Sequence, residues 1–209
     1  MRWRDRRVIL HEWTAQTRFD RHYVYHPAWA IRKVLESPPE QHVDVGSILG
    51  FVAAVSACVP VRFYDYRPAD LRLPGLTCLA GDLLDLPLAD DSVPSLSCMH
   101  VVEHIGLGRY GDPIDPEADL KAMAELKRVL APGGRLLFVT PVGRPRVAFN
   151  GNRIYAPRHV VDALAPLRLD EFRLIPDRPQ DGGLVEDPDF ALADRQDYGC
   201  GCFAFTKPA

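Results

Sequence analysis

Short apolar runs, each closed by glycine, proline or an acidic residue, recur along this chain, and amphipathic stretches stand between them. The runs near 42–46, 61–65, 76–81, 94–99, 135–140, 171–175 and 202–206 predict seven strands. Trp29, Ile31, Val34 and Leu35 recur at helical spacing over 28–36, a stretch that stops at Ser37-Pro38-Pro39. Further helices are predicted at 49–58, 117–130 and 158–165. Strands that alternate with helices in this way make an α/β fold, a mostly parallel sheet covered on both faces. No internal repeat or low-complexity tract interrupts the pattern.

The first run leads into Asp44-Val45-Gly46-Ser47-Ile48-Leu49-Gly50, and Asp65 closes the second. Glycines at a strand-to-helix turn let the backbone approach a ligand, and a carboxylate about 20 residues later reaches ribose hydroxyls. The order of parts points to an adenosine-type cofactor. A tight turn with no ligand produces the same spacing. Leu79-Ala80-Gly81-Asp82-Leu83 places a further aspartate at a strand's carboxyl end, where it faces the same crevice or begins a solvated turn.

Two later segments add to the pattern. Ser95 to Ile105 reads as a buried strand running into a helix that begins with His100, Glu103 and His104. Leu126-Lys127-Arg128-Val129-Leu130-Ala131-Pro132-Gly133-Gly134 ends a helix on basic residues, which suit its negative carboxyl end, and gives way to the apolar strand Leu136 to Thr140.

In this order and spacing, residues 42–141 resemble the class I S-adenosylmethionine-dependent methyltransferases. The segments Phe19 to Ala30 and His104 to Pro116 resemble more narrowly a bacterial methyltransferase-like subfamily often found with surface-polysaccharide genes. The resemblance implies a seven-stranded Rossmann-like sheet whose last strand is antiparallel and inserts beside the fifth. It implies S-adenosylmethionine as cofactor, held by Asp44, Gly46, Ser47, Gly50, Asp65, Tyr66, Asp82, Leu83 and His100. Residues 1–40 become an arm and helix forming a lid or collar, with Tyr23, Tyr25, His26 and Trp29 on it, and 41–209 the methyltransferase-like domain.

Two positions depart from the family pattern. Ile48 sets a β-branched side chain where a second glycine is usual, beside the path of the cofactor's methionine portion. The connection Tyr66 to Gly75 is short and holds Pro68 and Pro74, so its crossover helix is reduced to a turn or less. Both features favour the alternative of a non-catalytic methyltransferase fold that binds or scaffolds in glycan or natural-product assembly. A nicotinamide-dependent enzyme fits less well, because the turn lacks the G-x-G-x-x-G spacing.

Methyl transfer to a hydroxyl needs alignment, exclusion of water and a base for the proton. His104, with His100 and Asp112 behind it, is the candidate base, since an unperturbed imidazole titrates near neutrality. The same histidines also suit a purely loop-orienting role. Three loops offer acceptor contacts: Gly106 to Pro116, Val142 to Pro157, and Asp177 to Gly199. Glu103, Arg109, Tyr110, Arg144, Arg146, Asn150 and Tyr155 are the candidates, since guanidinium groups clamp carboxylate, phosphate or sugar hydroxyls. Alternatively the arginines pair with the acidic third loop. Asp112 and Asp115 are too little from which to infer a Mg²⁺ site.

Composition narrows the class. A chain of 209 residues, 47% hydrophobic and 25% charged, suits one domain around a covered sheet. Its net charge of −3 gives no basic field for nucleic acid. Arg2, Arg4, Arg6 and Arg7 precede no apolar run, so neither a signal peptide nor a membrane span is expected. Five cysteines, an odd number, point to reduced thiols and a cytoplasmic protein. Cys200-Gly201-Cys202 has the wrong spacing for a zinc half-site, and no metal is assigned. The partner expected is a small or sugar-like acceptor, and a homodimer is left open.

Overall fold

The computed structural model describes residues 2–8 and 13–209. The strands are β1 (His42–Val45), β2 (Val61–Asp65), β3 (Leu76–Ala80), β4 (Val93–Met99), β5 (Leu130–Val142), β6 (Arg146–Ala148), β7 (Asn152–Ile154), β8 (Arg168–Ile175), β9 (Val185–Glu186) and β10 (Gly199–Thr206). The α-helices are α1 (Arg21–Glu36), α2 (Leu49–Ser56), α3 (Ala118–Val129), α4 (Pro157–Ala163) and α5 (Phe190–Asp194).

Eight strands form one sheet in the order β3-β2-β1-β4-β5-β10-β8-β9. Strands β3, β2, β1, β4 and β5 run parallel, and β10 lies antiparallel between β5 and β8. All seven expected strands are present, and the last inserts beside the fifth expected strand. The count of seven is corrected to eight by β9, which pairs with β8 at the sheet edge. Two residues in a stretch of aspartate and glycine carry no period to read.

The strands alternate cleanly between two apolar layers. Leu136 and Phe138 on β5, and Phe203 and Phe205 on β10, pack with Met123 and Leu126 of α3 and Val160 of α4. Leu137, Val139, Cys200 and Cys202 face the other side, with Trp29 and Val34 of α1 and Phe51, Val52 and Val55 of α2. Both faces are thus buried, as the near-continuous apolar strands require.

Helix α1 begins at Arg21 rather than near residue 28. Asp20 caps it by accepting from the Tyr23 amide at 3.2 Å, and the buried Pro27 lies inside the helix at the loss of one backbone bond. Glu171 of β8 anchors this helix: it accepts from Trp29 Nε1 at 2.7 Å and pairs with Lys33 at 2.6 Å and Arg173 at 3.0 Å. Burial pushes the Glu171 carboxyl up, yet these donors outweigh it and hold the pKa at about 2.

A polar chain crosses the interior between β1 and β4. The ring of His42 bonds Ser95 and Ser97, each at 2.8 Å, and Ser97 donates to Asp44. Asp44 also accepts from the Ser47 amide at 3.0 Å and hydroxyl at 2.7 Å, and that hydroxyl accepts from the Met99 amide at 3.1 Å. The glycine turn after β1 is therefore bolted to the end of β4 by a buried carboxylate.

Burial pushes the Asp44 pKa up to about 7, against the hydroxyl and amide bonds that favour its charge. The folded protein thus binds a proton here that the unfolded chain releases near its ordinary value of 3.8. Stability from this group is present below about pH 4 and is lost as pH rises toward 7. Asp44→Asn, which cannot ionise, should gain relative to wild type across that window and run parallel to it outside. Urea unfolding at several pH values tests this, and a pH-independent difference refutes it.

Candidate active site

The chain reverses direction across the sheet at β1, going outward to β2 and β3 and then back to β4 and β5. Open α/β sheets bind ligands beyond the carboxyl ends of strands at such a switch point. A cavity of about 400 Å³ lies there, within the range of small-molecule sites.

Gly46 sits on its floor with φ of +71°, and a Cβ at that position would fall 2.9 Å from a methyl of Val101. The glycine is required by the approach of β1 to the segment after β4, and the space above it remains open. Asp65 and Tyr66 line the cavity from the end of β2, and Asp82 and Leu83 from the end of β3. Each aspartate accepts from an amide two residues on, Arg67 at 2.7 Å and Leu84 at 2.9 Å, so local turns fix both carboxylates at the rim.

The expected helix after β4 is only the short turn Val102–His104, described by 3-10 geometry. Gly106 with φ of +76° and a close approach to the Asp115 carbonyl turns the chain away, and Pro113 and Pro116 follow. His100 has φ of +57°, an unusual conformation for a residue with a side chain, and such strain gathers at functional sites. Its Nδ1 donates to Glu103 at 2.8 Å. His104 Nδ1 lies 2.7 Å from the Gly151 carbonyl and 3.1 Å from the Arg109 guanidinium, which itself donates to that carbonyl; with Nδ1 donating to Gly151, Nε2 is the lone-pair nitrogen, 3.9 Å from Glu103. Both histidines line the cavity, and Glu103 lies buried behind them.

Asp112 also lines the cavity, but as a brace for its own loop. It accepts from the amides of Gly106 at 2.7 Å, Gly108 at 3.3 Å and Tyr110 at 3.1 Å. Partial burial raises its pKa, but these bonds outweigh that and hold it below the ordinary carboxylate value, which suits an anchor and not a base.

Other expected residues stand elsewhere. Asp44 and Ser47 belong to the buried chain between β1 and β4, and Gly50 is exposed on α2 with open space around it. Ile48 is half-buried against the core layer on the sheet face that α2 covers, outside this cavity. Tyr155 is buried and donates to Asp119 at 2.9 Å. Arg144 lies 4.0 Å from Asp197, and Arg146 donates to the Asp197 carbonyl at 2.8 Å, so the second loop's arginines meet the third loop. Arg109 donates to Gly151 at 3.0 Å and leans on Tyr110, while Asn150 is exposed on the β6–β7 turn. Of that set only Tyr110 reaches the cavity.

Arg67, not anticipated from the sequence, lines the rim and stacks over the Tyr110 ring at 4.6 Å. Its place two residues after Asp65 was the available signal. Val101 was equally unanticipated, since an apolar residue between His100 and Glu103 reads as core. The walls carry Asp65, Asp82, Asp112 and Asp115 against one arginine among the described lining residues.

The overall fold is similar to that of proteins of known structure. The N-methyltransferase NodS of Bradyrhizobium japonicum, solved with S-adenosyl-L-homocysteine, is similar at 16% identity, covering 88% of this chain and 86% of that one, with a TM-score of 0.61. The chain has the Rossmann-like α/β fold of these solved methyltransferases.

The 1,6-didemethyltoxoflavin-N1-methyltransferase of Burkholderia thailandensis, solved with bound 1,6-didemethyltoxoflavin and S-adenosylhomocysteine, is also similar at 16% identity, covering 88% and 77% of the two chains, with a TM-score of 0.61. The cyclase SpnF is similar at 17% identity, covering 88% and 80%, with a TM-score of 0.61. One fold therefore carries different reactions, and function rests on the site. A family described as "Caenorhabditis protein of unknown function, DUF268" matches residues 90–164, which include His100 to Asp112. No curated protein matches the sequence. No helix among the described residues is long and apolar enough to cross a membrane.

Proposed function

We propose that this chain is an S-adenosylmethionine-dependent methyltransferase of the cytoplasm, acting on the hydroxyl of a small or sugar-like acceptor. One observation carries the reading: Asp65 and Asp82 stand at the rim of one cavity above the bare backbone of Gly46. That arrangement suits ribose hydroxyls at Asp65, an exocyclic amine beside Asp82, and a close approach over Gly46. Tyr66 and Leu83 supply flat and apolar surface to the adenine. The acidic walls favour a neutral or cationic acceptor over a carboxylate or phosphate, and the exposed arginines of the second loop stand apart from it.

The bound cofactor supplies an activated methyl group on sulfur. His104 takes the acceptor's proton on Nε2, and Glu103 nearby stabilises the charge that forms on the ring. Gly151 holds the tautomer that makes this direction of transfer available. Association with surface-polysaccharide assembly is part of the same reading, through the narrower sequence resemblance.

Isothermal titration with S-adenosylmethionine and its demethylated product tests the proposal, and no heat at millimolar ligand would overturn it. Asp65→Ala should weaken binding by more than about 1 kcal/mol, the scale of a charge-assisted hydrogen bond. Wild-type affinity in that variant would move the site elsewhere. The absence of a helix between β2 and β3 favours a second reading, a binding subunit without turnover. Cofactor binding with no methyl transfer to neutral or amino-sugar acceptors would favour it over turnover.

A further inference from the structure

Behind the cavity wall, three residues far apart in sequence converge where α1, the end of β4 and the start of β10 meet. His22, His100 and Cys200 each offer one ligand atom, and these atoms lie within 4.8 Å of one another. We infer that His22, His100 and Cys200 form a binding site for a thiophilic divalent transition ion, with zinc the best match.

Four features carry the inference. The first is spacing. An ion about 2.0 Å from nitrogen and about 2.3 Å from sulfur, at a tetrahedral angle, sets the two ligand atoms about 3.5 Å apart. His100 Nε2 and Cys200 Sγ are 3.4 Å apart, a thiol-to-imidazole hydrogen bond whose length also matches that spacing. His22, on the first turn of α1, stacks between the rings of His100 at 5.5 Å and Tyr198 at 5.3 Å, and its ligand atom lies within 4.8 Å of the other two. The second is orientation: His100 donates its other nitrogen to Glu103, the partner that metal-binding imidazoles commonly have.

The third is charge. Thiolate from Cys200 and carboxylate from Glu103 balance a divalent ion, and the second Glu103 oxygen is buried with no hydrogen-bond partner among the described residues. The fourth is His26, which is fully buried, with its ring 5.0 Å from that of His100. It donates from Nδ1 to the His22 carbonyl at 2.6 Å, and its Nε2 lone pair also lacks a described partner. Two imidazoles and a thiolate are borderline-soft donors, which select zinc-like ions over magnesium or calcium. Three protein ligands leave a fourth position open, the pattern of reactive rather than purely structural zinc.

Cys200 and Cys202 do not act as a pair here; the second and third ligands come from other elements. With its Nε2 lone pair given to the ion, His100 is removed as a base, and His104 is left alone in that role. The site does not depend on the methyltransferase reading, because the ion is titrated without cofactor.

The test is Co²⁺ and Zn²⁺ titration of the full chain, stripped by chelator, with absorbance and calorimetry. One equivalent should bind with a thiolate-to-cobalt charge-transfer band. Cys200→Ser should abolish that band, and Cys58→Ser, at an exposed thiol, should keep it. His22→Asn should keep the band and weaken binding at least tenfold. No band, a band that survives Cys200→Ser, or wild-type affinity in His22→Asn overturns the site. Should Cys200→Ser not fold, as judged by circular dichroism, His22→Asn decides alone, since that residue is only half-buried at a helix end.

Discussion

His104→Gln is expected to lower kcat by about 10²- to 10⁴-fold, the span that a positioned general base contributes, while leaving cofactor affinity unchanged. The expectation follows from what each nitrogen does. Nδ1–H is committed to the Gly151 carbonyl, so only Nε2 can receive a proton, and it does so on the cavity wall with a buried carboxylate 3.9 Å away. Glutamine can reach Gly151 with its amide but cannot take up a proton. The acid limb of the wild-type pH profile should therefore vanish in the variant. A residue that only orients the loop would change KM and leave the shape of that profile intact. A variant within threefold of wild-type kcat would end the assignment.

Arg153→Ala is expected to cost about 3–5 kcal/mol of stability, the usual penalty for stripping one partner from a buried ion pair. Arg153 and Asp119 are each only 7% exposed at the side chain, with Nε 3.3 Å from the carboxylate. The rest of the guanidinium fork donates to the carbonyls of Ile105 at 2.6 Å, Pro116 at 3.3 Å and Asp115 at 3.4 Å. Truncation leaves the Asp119 carboxylate with Tyr155 alone and takes a donor from both ends of the loop that roofs the cavity. Arg153→Lys keeps the charge but not the fork, and should recover less than half of the loss. Urea unfolding measures both, and hydrogen exchange should quicken across residues 105–116. A cost below about 1 kcal/mol would mean that water replaces the lost contacts.

The strands were legible because the sheet is covered on both sides, which writes most of them as largely apolar runs; β8, with Arg168, Asp170, Glu171 and Arg173, is the exception, read from its apolar end. Asp65 and Asp82 were legible as rim residues for the same reason: each is the carboxylate that closes such a strand. Asp44 fits that rule equally well on paper, yet its side chain lies within the strand pairing and is bonded inward by Ser47 and Ser97. Serine partners on another strand cannot be read from local spacing. The second loop misled for a related reason. Arg144, Arg146 and Arg153 look alike in sequence, but one is sealed inside with Asp119 and two sit outside against Asp197. The hairpin of β6 and β7 carries little apolar period, and α1 starts early because a proline was accommodated inside it. His22, His100 and Cys200 left no trace along the chain, since only the closure of α1 over β10 brings them together.

The contact between Arg67 and Tyr110 spans two sides of the cavity mouth, one from each flanking loop. Exposed pairs of this type are worth about 0.5–1 kcal/mol, a factor of a few in population. Side chains at such positions rearrange in nanoseconds or less. A latch this weak admits ligand without any hinge movement, so the residence time of whatever binds will follow from its own contacts and not from the opening of a door.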